Sequence, residues 1–208
     1  MTQSVSFWFD VSCPFAWMTS RWIKEVEKVR DIDVTFVPMS LSVLNDGRDI
    51  PESYAHKMEA NWGPARVFAA VADQEGAAKV DELYTAMGTI VHVEGESGKT
   101  GYGAYNDVIA RALEQVGLDA DYAAHADDEG GQAEQSLRRY HQEAQDLVGD
   151  DVGTPVVKLG DTAFFGPVIT RLPEGEEAGE IFDAAVRLSQ YPYFFELKRS
   201  RTEAPQTK

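Results

Sequence analysis

"FWFDVSCPFAWMTSRWI", residues 7 to 23, holds a junction between two kinds of structure. The apolar run Val5–Asp10 suits a buried strand, while Phe15, Met18, Trp22, Val26 and Val29 recur at spacings of three and four, the stripe of an amphipathic helix. Pro14 fits the first helical position, where its missing N–H has no partner to lose. Between strand and helix stands Cys13, the only cysteine of the chain. A sulfur there faces the first-turn amides and the positive end of the helix dipole, which favour thiolate over thiol, so a pKa well below about 8.5 is expected. The other reading of a lone cysteine is a buried, inert core residue.

Working outward, Val34–Met39 supplies a second apolar run, and strand, helix and strand with short links make a βαβ unit with a parallel pair. From Pro51 to Val148 the pattern is helical. Tyr54, Met58 and Trp62 share a face, Pro64 is expected to open a new helix through Val67, Phe68 and Val71, and Gly117 reads as a C′ residue. Strand character returns at Val156–Leu159, with Gly160-Asp161 as a hairpin signal before Thr162–Phe165. A last helix is expected over about Glu176–Ser189, followed by an aromatic segment from Tyr191 that packs on the chain's own core or seals a dimer. The end, Glu203–Lys208, reads as disordered. The order is a small α/β layer interrupted by helices.

The 208 residues are 43% hydrophobic and 11% aromatic, enough for a core, with a net charge of −16. Such acidity argues against nucleic acid or an anionic lipid surface as a partner. No apolar stretch reaches the roughly 18 residues of a membrane span, and no signal-peptide pattern precedes the first strand, so a cytoplasmic protein is expected. One cysteine forms no internal disulfide. Gly95–Thr100 imitates a phosphate loop, but the required first glycine is Val93. No G-x-G-x-x-G follows a strand, so neither nicotinamide nor flavin is expected. His56, His92, His125 and His141 lack metal-ligand spacing, and no metal is expected. Asp10, three residues before Cys13, reads equally as a proton carrier or as a capping residue.

Seven stretches together carry a family resemblance: residues 7–23, "VRDIDVTFVPMSLSVLN" (29–45), "LYTAMG" (83–88), "VGDDVGTPVV" (148–157), "AFFGPV" (163–168), "EGEEAG" (174–179) and "YPYFFELKRSRTE" (191–203). The chain resembles the thioredoxin-fold oxidoreductases of the disulfide-bond protein A (DsbA) family, and more narrowly the actinobacterial mycothiol-dependent nitroreductases. The resemblance implies a thioredoxin fold interrupted by an all-helical insertion, with residues 1–48 and 149–208 in the first part and 49–148 in the second. It implies that Cys13 is the nucleophile and that Thr154 and Pro155 form the cis-proline loop beside it. Pro14 and Phe15 lie between the two cysteine positions, and Asn45 and Tyr54 line the pocket above.

Ala16 departs from the pattern, standing where the family carries the resolving cysteine. The intact surroundings favour an engineered replacement that traps the mixed disulfide; a natural monothiol site is the other reading. The expected activity is thiol-disulfide exchange on disulfides, with nitroaromatic compounds as further substrates. No cofactor is held; mycothiol, a similar small thiol, or a thioredoxin- or mycoredoxin-type protein supplies electrons. The chain is a monomer or homodimer. Two alternatives remain open: an enzyme like the kappa-class glutathione transferases and 2-hydroxychromene-2-carboxylate isomerases, using Ser12 to activate a bound thiol, and a redox-inactive binding module.

Overall fold

In the computed structural model, which describes residues 2–207, four strands form one sheet. Strand β1 (Gln3–Phe9) leads through helix α1 (Pro14–Val26) to β2 (Ile32–Pro38), and β1 and β2 pair in parallel with Phe7 opposite Phe36. Strands β3 (Val156–Leu159) and β4 (Thr162–Phe165) form the hairpin signalled by Gly160-Asp161, and β3 lies antiparallel to β1, giving the order β2-β1-β3-β4. Helix α7 (Gly175–Ser189) packs against α1.

Between β2 and β3 run α2 (Leu41–Asn45), α3 (Glu52–Gln74), α4 (Ala77–Gly88), a π-helical turn (Thr89–Val93), α5 (Asn106–Gln115), a 3₁₀ segment (Ala120–Asp127) and α6 (Gln132–Val148). Period-two alternation in β1 explains how these layers meet. Val5, Phe7 and Phe9 enter the larger core with α1, α3 and α4, while Trp8 points to the other face, against Met39, Ala144 of α6 and Val156. Phe9, Phe36, Phe68 and Tyr84 join rings from both chain segments, with Phe9 and Phe68 edge to face at 5.0 Å.

Two expectations fail. Pro64 opens no helix: α3 runs through it from Glu52 to Gln74. A proline inside a helix removes one hydrogen bond, at a cost of about 3 kcal/mol. Here Trp62, Ala65 and Ala69 on either side pack with Leu137 of α6, and that continuous buried face holds the helix together. The C-terminal segment is not loose either. Glu203 grips Arg171 at 2.8 Å and accepts from Thr170 Oγ1 at 2.6 Å; Gln206 N donates to Thr170 O at 2.8 Å; Thr207 Oγ1 donates to His92 O at 3.1 Å. Its polar composition concealed these ties; Lys208 lies outside the described residues. The aromatic segment divides: Phe194 meets Phe164 edge to face at 5.8 Å, whereas Tyr193 and Phe195 are 74% and 80% exposed.

Candidate active site

Cys13 is the N-cap residue of α1, with an extended backbone (φ −82°, ψ 113°) and Pro14 at the first helical position. Its amide donates to Asp10 O at 3.0 Å, closing a tight turn out of β1, and its carbonyl accepts from Trp17 N at 3.0 Å. The sulfur donates to the carbonyl of Thr154 at 3.4 Å, although 141 residues separate the two. The Thr154–Pro155 peptide is cis, and so is Gly166–Pro167. The Thr154 hydroxyl is buried and has no hydrogen-bond partner among the described residues.

The electrostatics differ from the expectation. Burial pushes the Cys13 thiol up, and the nearby Asp10 carboxylate adds to the rise. The Thr154 side chain and the amides of Ala16 and Phe15 pull the other way and are outweighed. Position at a helix N-terminus alone implied a low pKa; the missing consideration is desolvation, because Cys13 is only 6% exposed.

Asp10 is itself buried, and burial pushes its carboxyl up against three bonds that hold it down. Its Oδ1 accepts from Ser12 N at 2.8 Å and Ser12 Oγ at 2.7 Å, and its Oδ2 accepts from Leu41 N at 2.7 Å. It therefore ties the Cys13 turn to the start of α2, and the bonds that make this tie also commit the Ser12 hydroxyl. Tyr54 stands close enough to Asp10 and Cys13 that their charges reinforce the upward push of burial on its phenol, with Asn45 beside it acting in the opposite sense. Asn45 Nδ2 donates to Leu41 O at 2.7 Å. Phe15 is half-buried, and the Arg201 guanidinium covers its ring at 4.7 Å. Ala16 is fully buried.

The structure thus gathers Cys13, Thr154 and Pro155 at one point, with Tyr54 and Asn45 on the side of the helical layer. It also adds residues that sequence reasoning passed over. His92, dismissed for want of metal spacing, holds Val11 O through Nε2 at 2.7 Å and stacks on Trp17 at 5.5 Å. Burial lowers its pKa to about 4, so the ring is neutral at pH 7 and donates from Nε2. Gly88 allows this arrangement: a Cβ there would lie within 2.6 Å of Trp17 Cε3. The glycine ending "LYTAMG" was the available signal.

The family model described as mycothiol-dependent nitroreductase Rv2466c matches residues 12–199. The chain belongs to this family. An uncharacterized protein of Mycobacterium tuberculosis, Rv2286c, is 27% identical over 202 residues, covering 97% of this chain and 84% of that one. Among solved structures, a probable DsbA oxidoreductase from Streptomyces coelicolor superposes with a TM-score of 0.58 at 17% identity, covering 97% of this chain and 95% of that one. A 2-hydroxychromene-2-carboxylate isomerase gives the same TM-score, 0.58, at 13% identity, with 90% and 95% covered. Likeness at these identities establishes the fold, an α/β thioredoxin-type layer with a DsbA-like helical interruption. Family membership makes this an oxidoreductase-family chain. No helix among the described residues is long and apolar enough to cross a membrane.

Proposed function

We propose that the protein is a monothiol reductase in which Cys13 attacks disulfides and a small thiol such as mycothiol regenerates it. The observation that carries this reading is the Cys13 sulfur at the mouth of α1, 3.4 Å from Thr154 O, in a chain with no second cysteine. At rest, burial keeps the sulfur protonated. Once the sulfur is exposed to substrate and loses its proton, the Thr154 side chain and the first-turn amides are already in place to receive the charge.

The thiolate attacks one sulfur of RSSR′, forming Cys13–S–S–R and expelling R′S⁻, which takes up the proton. Ala16 offers a methyl group where a resolving thiolate would act, so resolution is intermolecular. A first small thiolate attacks at the Cys13 sulfur and releases RS⁻. A second frees Cys13 and departs with the first as a disulfide. Two small thiols are thereby oxidised and one substrate disulfide is reduced. The family description also supports nitroaromatic compounds as substrates, each two-electron reduction consuming two thiols that leave as one disulfide. A reducing cytoplasm suits this chemistry.

One observation weighs against the isomerase-like alternative. Ser12, the residue that would activate a bound thiol there, spends its hydroxyl on Asp10 at 2.7 Å. The deciding experiment is intact mass after exposure to oxidised mycothiol and oxidised glutathione. A single thiol adduct is expected on the protein and none on Cys13→Ser, with release by reduced thiol. Absence of any adduct overturns the proposal, and thiol-transfer or isomerase activity retained by Cys13→Ser transfers the case to the isomerase-like reading.

A further inference from the structure

Arg21 lies one turn beyond Trp17 on α1, half-buried, and no carboxylate among the described residues lies within ion-pair distance of it. Its guanidinium covers the Trp17 ring at 4.3 Å, Nε reaches Ser20 Oγ at 3.2 Å and Nη2 reaches Thr85 Oγ1 at 3.1 Å. Asp81 and Glu27, which act on it through space, are bonded instead to Lys24, at 2.5 and 3.0 Å. A desolvated cation without a partner is costly, and two hydroxyls satisfy its geometry without neutralising its charge.

This side chain opens on a cleft of about 540 Å³ between α1 and the returning C-terminal segment. That volume falls within the few hundred to 1,000 Å³ common for small-molecule sites. Trp17, Met18 and Leu172 supply apolar wall, Arg21 and Arg171 supply positive charge, and Glu174 supplies one negative charge. The remaining wall is the tail at residues 206–207. The two arginines are not equivalent. Glu203 already occupies the Arg171 fork, with contacts at 3.0 and 2.8 Å, and shows how a carboxylate is held at this edge. Among the described residues the Arg21 charge has no such occupant. Burial also pushes its pKa down, the direction expected of a guanidinium deprived of water.

We propose that this cleft binds a small organic carboxylate with an apolar body, its charge on Arg21 and its body against Met18 and Leu172. The site is separate from Cys13 chemistry and does not rest on the monothiol reading. With Nε on Ser20 and Nη2 on Thr85, Nη1 is the nitrogen left to donate, and its positive charge favours a carboxylate over a neutral amide, so charge, rather than shape, should decide the affinity.

Calorimetric titration with benzoate and with the near-isosteric benzamide tests the site, on the intact protein and on Cys13→Ser. Benzoate is expected to bind both proteins alike and at least tenfold more tightly than benzamide. Arg21→Gln is expected to weaken benzoate at least tenfold, and Arg171→Gln less than threefold. Equal binding of the two probes, no binding of benzoate, or an unchanged affinity in Arg21→Gln overturns the proposal. Should Arg21→Gln fail to fold, the unmodified protein still decides: benzoate must shift the Arg21 Nε–H and Trp17 indole resonances, and shifts confined to other residues overturn the assignment. Binding intact in Cys13→Ser while no mixed disulfide forms on the unmodified protein would sink the monothiol reading alone.

Discussion

The Cys13 sulfur donates to the Thr154 carbonyl at 3.4 Å, and the hydroxyl of the same threonine is buried beside it without a partner among the described residues. Backbone and side chain of one residue thus address one sulfur in its two states. The carbonyl accepts from the thiol, and the hydroxyl, free to turn, can donate to the thiolate. Thr154→Val keeps the carbonyl and the approximate shape but removes the donor. The thiol pKa is expected to rise further, slowing iodoacetamide alkylation at pH 7.5 by roughly three- to tenfold, since one pKa unit is tenfold in thiolate. An unchanged alkylation rate would show that the hydroxyl does not act on the sulfur.

Ala16 is fully buried one turn from the exchange point, so restoring a second sulfur alters chemistry more than surface. Ala16→Cys is expected to convert the persistent mixed disulfide into an internal one. After brief exposure to oxidised glutathione, intact mass should show a loss of two hydrogens in place of the glutathione adduct, with adduct occupancy down on the order of tenfold. Persistence of the adduct at its original occupancy would mean that position 16 does not reach the Cys13 sulfur.

These two residues also mark what a sequence makes legible. The β1–α1 junction, the hairpin and α7 could be read because each depends on local patterning: a short apolar run, a Gly-Asp turn, an i, i+4 stripe. Cys13 and Thr154 were singled out together through the family resemblance, since no local rule joins residues so far apart. Pro64 was misread because the compensation for its lost hydrogen bond comes from Leu137 on another helix. The tail was misread because its order rests on partners as distant as His92 and Arg171. The sign of the Cys13 shift was missed because the dipole argument is local, whereas burial is a property of the whole fold.

Two neutral histidines link stability to acid. Burial lowers both His92 and His141 to about 4, the latter with help from Arg138 and Arg48, and His141 Nδ1 accepts from Ser40 N at 3.4 Å. The unfolded chain takes up these protons near pH 6.5 and the folded chain only near pH 4, so the folded state loses ground as pH falls through that window. The full shift corresponds to at most roughly 3.5 kcal/mol per histidine. Asp10 has the opposite sign: its raised pKa favours the folded state once it is protonated. Urea midpoints measured from pH 7 to pH 4 should fall, and less steeply in His92→Gln, which keeps an N–H donor for Val11 O without a titrating ring. Parallel slopes in the two proteins would show that His92 carries no share of the acid sensitivity.

Gly88 at the end of α4 has ordinary helical angles (φ −64°, ψ −33°), so its requirement is for space and not for conformation. An added methyl would meet the Trp17 ring within 2.6 Å of Cε3, and that ring is 4% exposed. Gly88→Ala must displace Trp17, and Trp17 carries both the His92 stack and the Arg21 contact. Overpacking of this kind costs about 1–3 kcal/mol, more than the helix propensity gained from alanine. Because Trp17 N is bonded to Cys13 O at 3.0 Å, the disturbance also reaches the turn that buries the sulfur. Alkylation of Cys13 at pH 7.5 is therefore expected to accelerate in Gly88→Ala as the melting temperature falls. A lower melting temperature with unchanged alkylation would confine Gly88 to packing and separate the Trp17 layer from control of the thiol.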